Sequence, residues 1–311
     1  LLVFIILVVY LSMIRVVDLA KQRGHMQQLE TYYLENDLHF DDAFFTDFDV
    51  FDPSLRLNEI QYLATHNSYK KMGSSIGKFF VGLGDSFDEA KALRYEYHTF
   101  TKQLELGIRS FELDLRYRNN QFELTHVPLV DNASVAVDFL MALEEIALFQ
   151  KHHPNHLPLL ILLEIKSDWM MLDPFLQSFD ASVFAKLESM LSDVFQDGLF
   201  APRDMLEDGK TLKETVQTSG WPKLNELLGK VVFIIHPHNT YVPMYYKMDE
   251  TLQSQNMFLG VYQQQIEEDY ASFIVHNDPN PEVIQPLIDR NFIVRTRLDA
   301  NLQISTNDWE N

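Results

Sequence analysis

Four short polar clusters, each closing an apolar run, carry the residues that could do chemistry. Ala64-Thr65-His66-Asn67-Ser68-Tyr69 offers an imidazole and an amide oxygen. Gly107-Ile108-Arg109-Ser110-Phe111-Glu112-Leu113-Asp114 offers two carboxylates at i and i+2, on one face of a strand. Phe122-Glu123-Leu124-Thr125-His126 adds a second imidazole, and Glu164 with Lys166 follows the apolar run Leu159–Leu163. Read as the C-terminal tips of successive β-strands, these residues point to metal-assisted phosphoryl transfer. Each alone has a plainer reading. A single strand-end histidine is usually structural, Glu112 and Asp114 could pair with Arg109 and Arg116, and Glu164 with Lys166 could be a buried ion pair. Four such tips in succession are more specific than any one.

The elements that must position them alternate. Strands are expected at Ile60–Thr65, Ser110–Arg116, Phe122–His126, Leu159–Ile165, Val231–His236, Phe273–His276 and Phe292–Thr296. Several are continuous apolar runs, as parallel strands buried on both faces should be. Helical stretches lie between them, among them Val135–His152, Ala181–Phe195 and Glu282–Arg290. This order predicts an α/β fold of the TIM-type (β/α)8 barrel class, with seven strands legible and the last one missing.

Bulk composition narrows the chemistry. The 311 residues are 46% hydrophobic, enough for a large core, and contain no cysteine. Thiolate chemistry is therefore excluded, which leaves oxygen and imidazole ligands, and oxygen suits calcium or magnesium. The net charge of −20 argues against a nucleic-acid partner. The apolar run Leu1–Leu11 reads as a signal peptide or signal anchor within residues 1–17, which places the protein outside the cell or anchored facing outside. Residues 18–55 read as an acidic linker with an amphipathic helix, including Asp41, Asp42, Asp47 and Asp49, and residues 56–311 as the catalytic domain. The histidines His152, His153 and His156 match no zinc spacing and are read as structural.

From about Leu57 onward the chain resembles the calcium-dependent phosphoinositide-specific phospholipase C family of bacteria and fungi. The resemblance rests on A-T-H-N-S-Y at 64–69, Y-E-Y-H-T-F-T-K-Q-L-E-L-G-I-R-S-F-E-L-D at 95–114 and H-P-N-H-L-P-L-L-I-L-L-E-I-K at 153–166. It continues in T-L-K-E-T-V-Q-T-S-G-W-P-K-L at 211–224, G-K-V-V-F-I-I at 229–235, N-D-P at 277–279 and F-I-V-R-T-R-L-D-A at 292–300. It implies Asn67, Glu112, Asp114 and Glu164 as Ca²⁺ ligands and His66 and His126 as the catalytic histidines. Lys166 is implied as a substrate-phosphate contact, Arg295 and Arg297 as substrate-phosphate contacts or a barrel-closing ion pair, and Trp221 as architectural. The implied reaction cleaves phosphatidylinositol-type lipids at a membrane surface into diacylglycerol and inositol cyclic phosphate; separately, a monomer is expected. His236 stands where the family commonly has Asp, and the family's G-A-Q-x-x-S-T-D-Y-like last strand is not matched.

Two other readings compete. A glycerophosphodiester phosphodiesterase uses a similar barrel but would open on a His-Arg-Gly tip, where this chain has His66-Asn67-Ser68. A catalytically silent lipid-binding relative would retain the pocket without turnover, against which stands the presence of all six key positions.

Overall fold

The computed structural model describes residues 2–35 and 48–298. The linker acids Asp41, Asp42 and Asp47 fall outside the described residues, as does the stretch after Leu298. The chain forms two compact units. One comprises Leu1–Phe40, Ala64–His153 and Ile165–Phe179; the other comprises Asp41–Leu63, Pro154–Glu164 and Asp180–Asn311.

The first unit contains helices α1 (Leu2–Glu35), α2 (Ser75–Gly84), α3 (Phe87–Ala92), α4 (Phe100–Glu105) and α5 (Phe139–His152). Its strands are β1 (Ala64–Thr65), β2 (Ser110–Arg118) and β3 (Gln121–Leu124). β1 lies parallel to the start of β2, with Ala64 opposite Ser110. β3 returns antiparallel along the far half of β2, with Leu115 opposite Leu124. Asn119 and Asn120 turn this hairpin, both at positive φ (49° and 61°). Two left-handed residues are what a two-residue hairpin turn needs, and asparagine tolerates that region. This topology corrects two expectations. The run Phe122–His126 is the returning arm of a hairpin rather than a parallel barrel strand. Glu112 and Asp114 lie inside β2 rather than at its tip, because the strand continues to Arg118. Helix α5 begins at Phe139, later than the apolar pattern predicts, because Asp138 caps it by accepting from the Met141 N–H at 3.0 Å.

Helix α1 is continuous from Leu2 to Glu35, through position 17. Its polar side is committed to the first unit. Arg15 donates to Glu123 (2.7 Å), and Asp18 accepts from Lys71 (2.5 Å) and from the Ser134 N–H (3.2 Å). Gln22 exchanges two hydrogen bonds with the Asp138 backbone, and His25 lies 3.1 Å from Glu145. Leu11, Leu29 and Tyr33 are buried, whereas Leu2, Val3 and Ile6 are exposed. Glu145 is itself buried and also accepts from the backbone and hydroxyl of Thr101 (2.7 and 2.8 Å), so α1, α4 and α5 meet at one carboxylate.

The second unit contains β4 (Leu159–Ile165), β5 (Val231–Ile235), β6 (Met257–Tyr262), β7 (Ala271–Val275) and β8 (Ile293–Arg295). Each pairs in parallel with the next, and Leu159 to Leu163 lie opposite Val231 to Ile235. Helices α6 (Ala181–Phe195), α7 (Leu212–Ser219), α8 (Tyr241–Tyr246) and α9 (Pro281–Ile288) alternate with them. All five residues of β5 are buried, as its unbroken Val-Val-Phe-Ile-Ile run requires. The sequence pattern does not predict β6. Gly260 interrupts its apolar run, and a Cβ there would stand 2.9 Å from the Ile235 carbonyl oxygen, so only glycine lets β6 approach β5 so closely.

Gly229 sits at φ 76°, and a Cβ there would lie 2.3 Å from the Pro154 carbonyl oxygen. Gly229→Ala is expected to lower unfolding stability by about 2 kcal/mol or more, read as a shift in the urea midpoint. The hydrogen bond to Glu145 raises the His25 pKa above 6.5 against the opposing effect of burial. A raised folded-state pKa stabilises fully below the unfolded value and ceases to do so as pH rises through the folded value. The stability gap between wild type and His25→Gln is therefore expected to be widest below pH 6.5 and to close at a pH well above it; denaturant midpoints at the two extremes check this.

Candidate active site

The turn after β1 is fixed to β2 through Ser68. The Ser68 N–H donates to the Glu112 carbonyl (2.9 Å), and its hydroxyl accepts from the Glu112 N–H (3.0 Å) while donating to the Thr65 carbonyl (2.7 Å). The Thr65 hydroxyl donates to Gln103, whose amide nitrogen donates to the Ser68 and His98 carbonyls. This lock sets the backbone on either side of Ser68. Asn67 adopts the left-handed region at φ 53° and donates to the Tyr95 hydroxyl at 3.0 Å. Its Oδ1 is buried and, among the described residues, has no hydrogen-bond partner. A buried amide oxygen left unpaired costs about 1–3 kcal/mol, so the position favours an electrophile that would accept its lone pair.

Glu112 and Asp114 share these surroundings and are 5% and 0% exposed. His66 Nε2 lies 3.4 Å from Glu112. The Tyr69 hydroxyl donates to Asp114 Oδ2 (2.9 Å), and Lys166 Nζ stands 3.7 Å from Oδ1. Burial, then the Asp114 charge and hydrogen bond, push the Tyr69 phenol well above its ordinary pKa, so it remains a donor. Arg116 spends its donors elsewhere: on the carbonyls of Thr125 (3.0 Å), His126 (2.6 Å) and Asp168 (2.7 Å) and on the Asp168 carboxylate. The first unit thus brings together His66, Asn67, Glu112, Asp114 and Lys166. An all-oxygen set of one amide and two carboxylates fits a hard divalent cation such as Ca²⁺.

His126 follows Thr125, whose N–H donates to the Asp114 carbonyl at 3.3 Å, so the hairpin carries the second imidazole alongside the same strand. Its Nδ1 lies 3.0 Å from Asp131 Oδ2. Lys70 donates to both oxygens of Asp131, at 2.7 and 2.6 Å. Burial works to raise the Asp131 pKa, but the His126 hydrogen bond and the Lys70 charge outweigh it and hold the carboxyl below its usual range. Sequence reasoning missed Asp131, Lys70, Tyr69 and Tyr95. Lys70 and Tyr69 adjoin the His66-Asn67-Ser68 tip, but no spacing rule marks Asp131.

In the second unit, Glu164 and His236 follow the register pair Leu163–Ile235, and the His236 N–H donates to the Leu163 carbonyl at 2.8 Å. Arg295 ends β8 and donates to Asn277 Oδ1; Arg297 lies two residues beyond. Trp221 is buried, donates to the Asn291 carbonyl (3.0 Å) and packs edge-on against Phe273, the architectural role expected of it. His152 stacks on Tyr33 at 4.8 Å in the first unit, where His153 donates to the Phe149 carbonyl; in the second, His156 donates to the Leu157 carbonyl.

Comparison with known proteins gives the family and the fold. The family model described as phosphoinositide phospholipase C, Ca²⁺-dependent, matches residues 55–121 and 116–310. The chain belongs to that family, whose members are phosphodiester hydrolases with calcium as their metal. The match extends beyond the 292–300 segment, into residues outside those described. No curated protein matches the chain. Among solved structures, the calcium-dependent phosphoinositol-specific phospholipase C of a Gram-negative Pseudomonas sp., in its myo-inositol complex, is similar at TM-score 0.60 and 18% identity, over 80% of this chain and 85% of that one. A second crystal form of that enzyme gives TM-score 0.57 at 17% identity, with the same coverage. The Ca²⁺-dependent phosphatidylinositol-specific phospholipase C of Streptomyces antibioticus gives TM-score 0.55 at 18% identity, over 75% and 80% of the two chains. These likenesses show the fold, the TIM-type α/β barrel class expected from sequence.

Arg116→Ala is expected to strip the Thr125 and His126 carbonyls of their donor and to lower unfolding stability by about 3 kcal/mol, measured by chemical denaturation.

Proposed function

We propose that this phosphodiester hydrolase cleaves phosphatidylinositol-type lipids between glycerol and phosphate, releasing diacylglycerol and an inositol cyclic phosphate. The observation that carries the reading is the unpartnered Asn67 oxygen, on the turn tied to β2 through Ser68, in one unit with buried Glu112 and Asp114 and with the two imidazoles of His66 and His126. Asn67, Glu112 and Asp114 would hold the family's Ca²⁺, and Glu164 is assigned to it by the sequence resemblance alone. Calcium held there would supply Lewis-acid chemistry, lowering the pKa of the inositol 2-hydroxyl and neutralising charge developing on the phosphoryl oxygens.

The protein's own groups move the protons. His66, side chain 40% exposed and 3.4 Å from Glu112, takes the 2-hydroxyl proton, with Glu112 orienting its ring. His126 returns a proton to the departing diacylglycerol oxygen. Tyr69 keeps Asp114 in place, and Lys166 beside Asp114 offers a cation to the phosphate. Arg295 and Arg297 are proposed phosphate contacts from the V-R-T-R signature alone.

A membrane-surface substrate fits the outside of the first unit. α2 exposes Ile76, Phe79, Phe80 and Leu83, and Phe87 of α3 is exposed beside them. Such a row of large apolar side chains suits contact with lipid. The exposed first turns of α1 are proposed to hold the protein at a membrane, on its outer face.

Phosphatidylinositol vesicles provide the test, with water-soluble inositol phosphate as the product measured across a Ca²⁺ titration. His66→Ala and His126→Ala are each expected to reduce turnover by about 10²–10⁴-fold. Asp114→Asn is expected to raise the Ca²⁺ concentration needed for half-maximal activity about tenfold or more. Wild-type turnover in either histidine variant would refute its role in proton transfer. Cleavage of glycerophosphodiesters in place of the inositol lipid would move the chain to the neighbouring hydrolase class.

A further inference from the structure

His126 is held by a device that the proton transfers themselves do not use. Asp131, the carboxylate at its Nδ1, is wholly buried, and so is Lys70, its partner on the other side (0% and 1% of each side chain exposed). Burying two opposite charges costs several kcal/mol in lost hydration for each, and a buried pair is often no better for stability than apolar residues of the same size. This makes stability alone a weak account of the pair. Asp131 also hangs from a strained turn. Leu129 stands at φ 67°, and the Val130 N–H donates to the Pro128 carbonyl at 2.8 Å across it. A three-residue turn with its central residue at positive φ is the rare, strained kind, and strain persists where the surroundings impose it.

The surroundings do impose it. Val127 and Asp131 exchange backbone hydrogen bonds (3.3 and 3.0 Å), closing the turn on the residue after His126. On one side, α1 grips the following residues: the Leu11 carbonyl accepts from Asn132, and Asp18 accepts from the Ser134 N–H. On the other, two glycines let the 73–77 segment press in. A Cβ on Gly73 would stand 2.9 Å from Asp131 Oδ1, and one on Gly77 only 2.0 Å from the Val130 carbonyl oxygen. The carboxylate is thus held from its backbone, from its partner lysine and from both flanks.

We propose that Asp131, clamped by Lys70, is the positioning residue for His126: it fixes the proton on Nδ1 and so aims Nε2 at the leaving oxygen. The proposal rests on His126 being the proton donor to that oxygen. An ionised carboxylate accepts only, so the hydrogen of its bond to Nδ1 belongs to the imidazole. Because Lys70 occupies both oxygens of Asp131, the carboxylate cannot swing to follow the ring, and the ring must orient to it.

The experiment uses the full chain and two substrates: phosphatidylinositol in vesicles, and a nitrophenyl ester of inositol phosphate, whose leaving group departs without a proton. His126→Ala comes first, with loss on the lipid and near-normal turnover of the nitrophenyl ester expected. Equal loss on both would show that His126 is not the acid, and the proposal would fall with that reading. Given the selective loss, Asp131→Asn is expected to lower kcat on the lipid about a hundredfold, with KM unchanged and nitrophenyl ester turnover within about threefold of wild type. Lys70→Met/Asp131→Asn, which leaves no unpaired buried charge, guards against a folding defect and is expected to show the same selective loss. Wild-type kcat on the lipid in either variant overturns the proposal, and so does an equal fall on both substrates.

Discussion

A charge inside a protein must be answered by another group, and in the first unit that requirement organises nearly everything around β2. Asp114, Asp131, Glu112 and Glu145 are all buried, and each has a partner far from it in sequence, His66 being that of Glu112. Asp114 receives Tyr69, Asp131 receives Lys70, and Glu145 gathers Thr101 and His25. Tyr69 and Lys70 are neighbours in sequence and serve two different carboxylates. One short segment after β1 therefore aligns the acidic pair of β2 and the carboxylate beside His126 together.

The same requirement explains why the N-terminal helix belongs to the first unit rather than standing apart from it. Arg15 and Asp18 interrupt its apolar run, and each finds an opposite charge on the surface it covers, Glu123 and Lys71. The apolar residues at its start are left exposed, while Leu29 and Tyr33 at the far end are buried. Two kinds of surface thus sit on one continuous helix, an apolar start and a polar clasp. Asp18 also reaches the backbone of Ser134, three residues after Asp131, so the clasp bears on the segment that holds His126.

The Asn67 oxygen is one of several buried polar atoms that lack a hydrogen-bond partner among the described residues. Its amide nitrogen is used, its backbone is held in a left-handed conformation, and its oxygen is buried with nothing to accept from among the described residues. This open acceptor stands on the turn that Ser68 ties to the backbone of Glu112, the first of the two carboxylate residues of β2. That is the arrangement expected of a site whose partner is a cation.

The chain alone determined the α/β class and the family, and it offered the candidate catalytic and ligand residues. Apolar runs such as Val231–Ile235 announce buried parallel strands, and the segments at 64–69, 107–114 and 159–166 carry residue types that have few other uses together. It also marked Ala181–Phe195 as a helix to the residue, since Asp180 caps it and its apolar face is unbroken. Only the tertiary structure decided that Phe122–His126 folds back antiparallel, that β6 forms despite Gly260, and that Glu112 and Asp114 lie within a strand rather than at its end. It alone brought Asp131 to His126 and Lys70 to Asp131. The physical reason is the range of the interactions. Propensity and periodicity act between residues a few positions apart and can be read along the chain, whereas a buried charge is satisfied by whatever the fold places beside it. Lys70 and Asp131 stand 61 positions apart and Arg15 and Glu123 stand 108 apart, separations that no local pattern encodes.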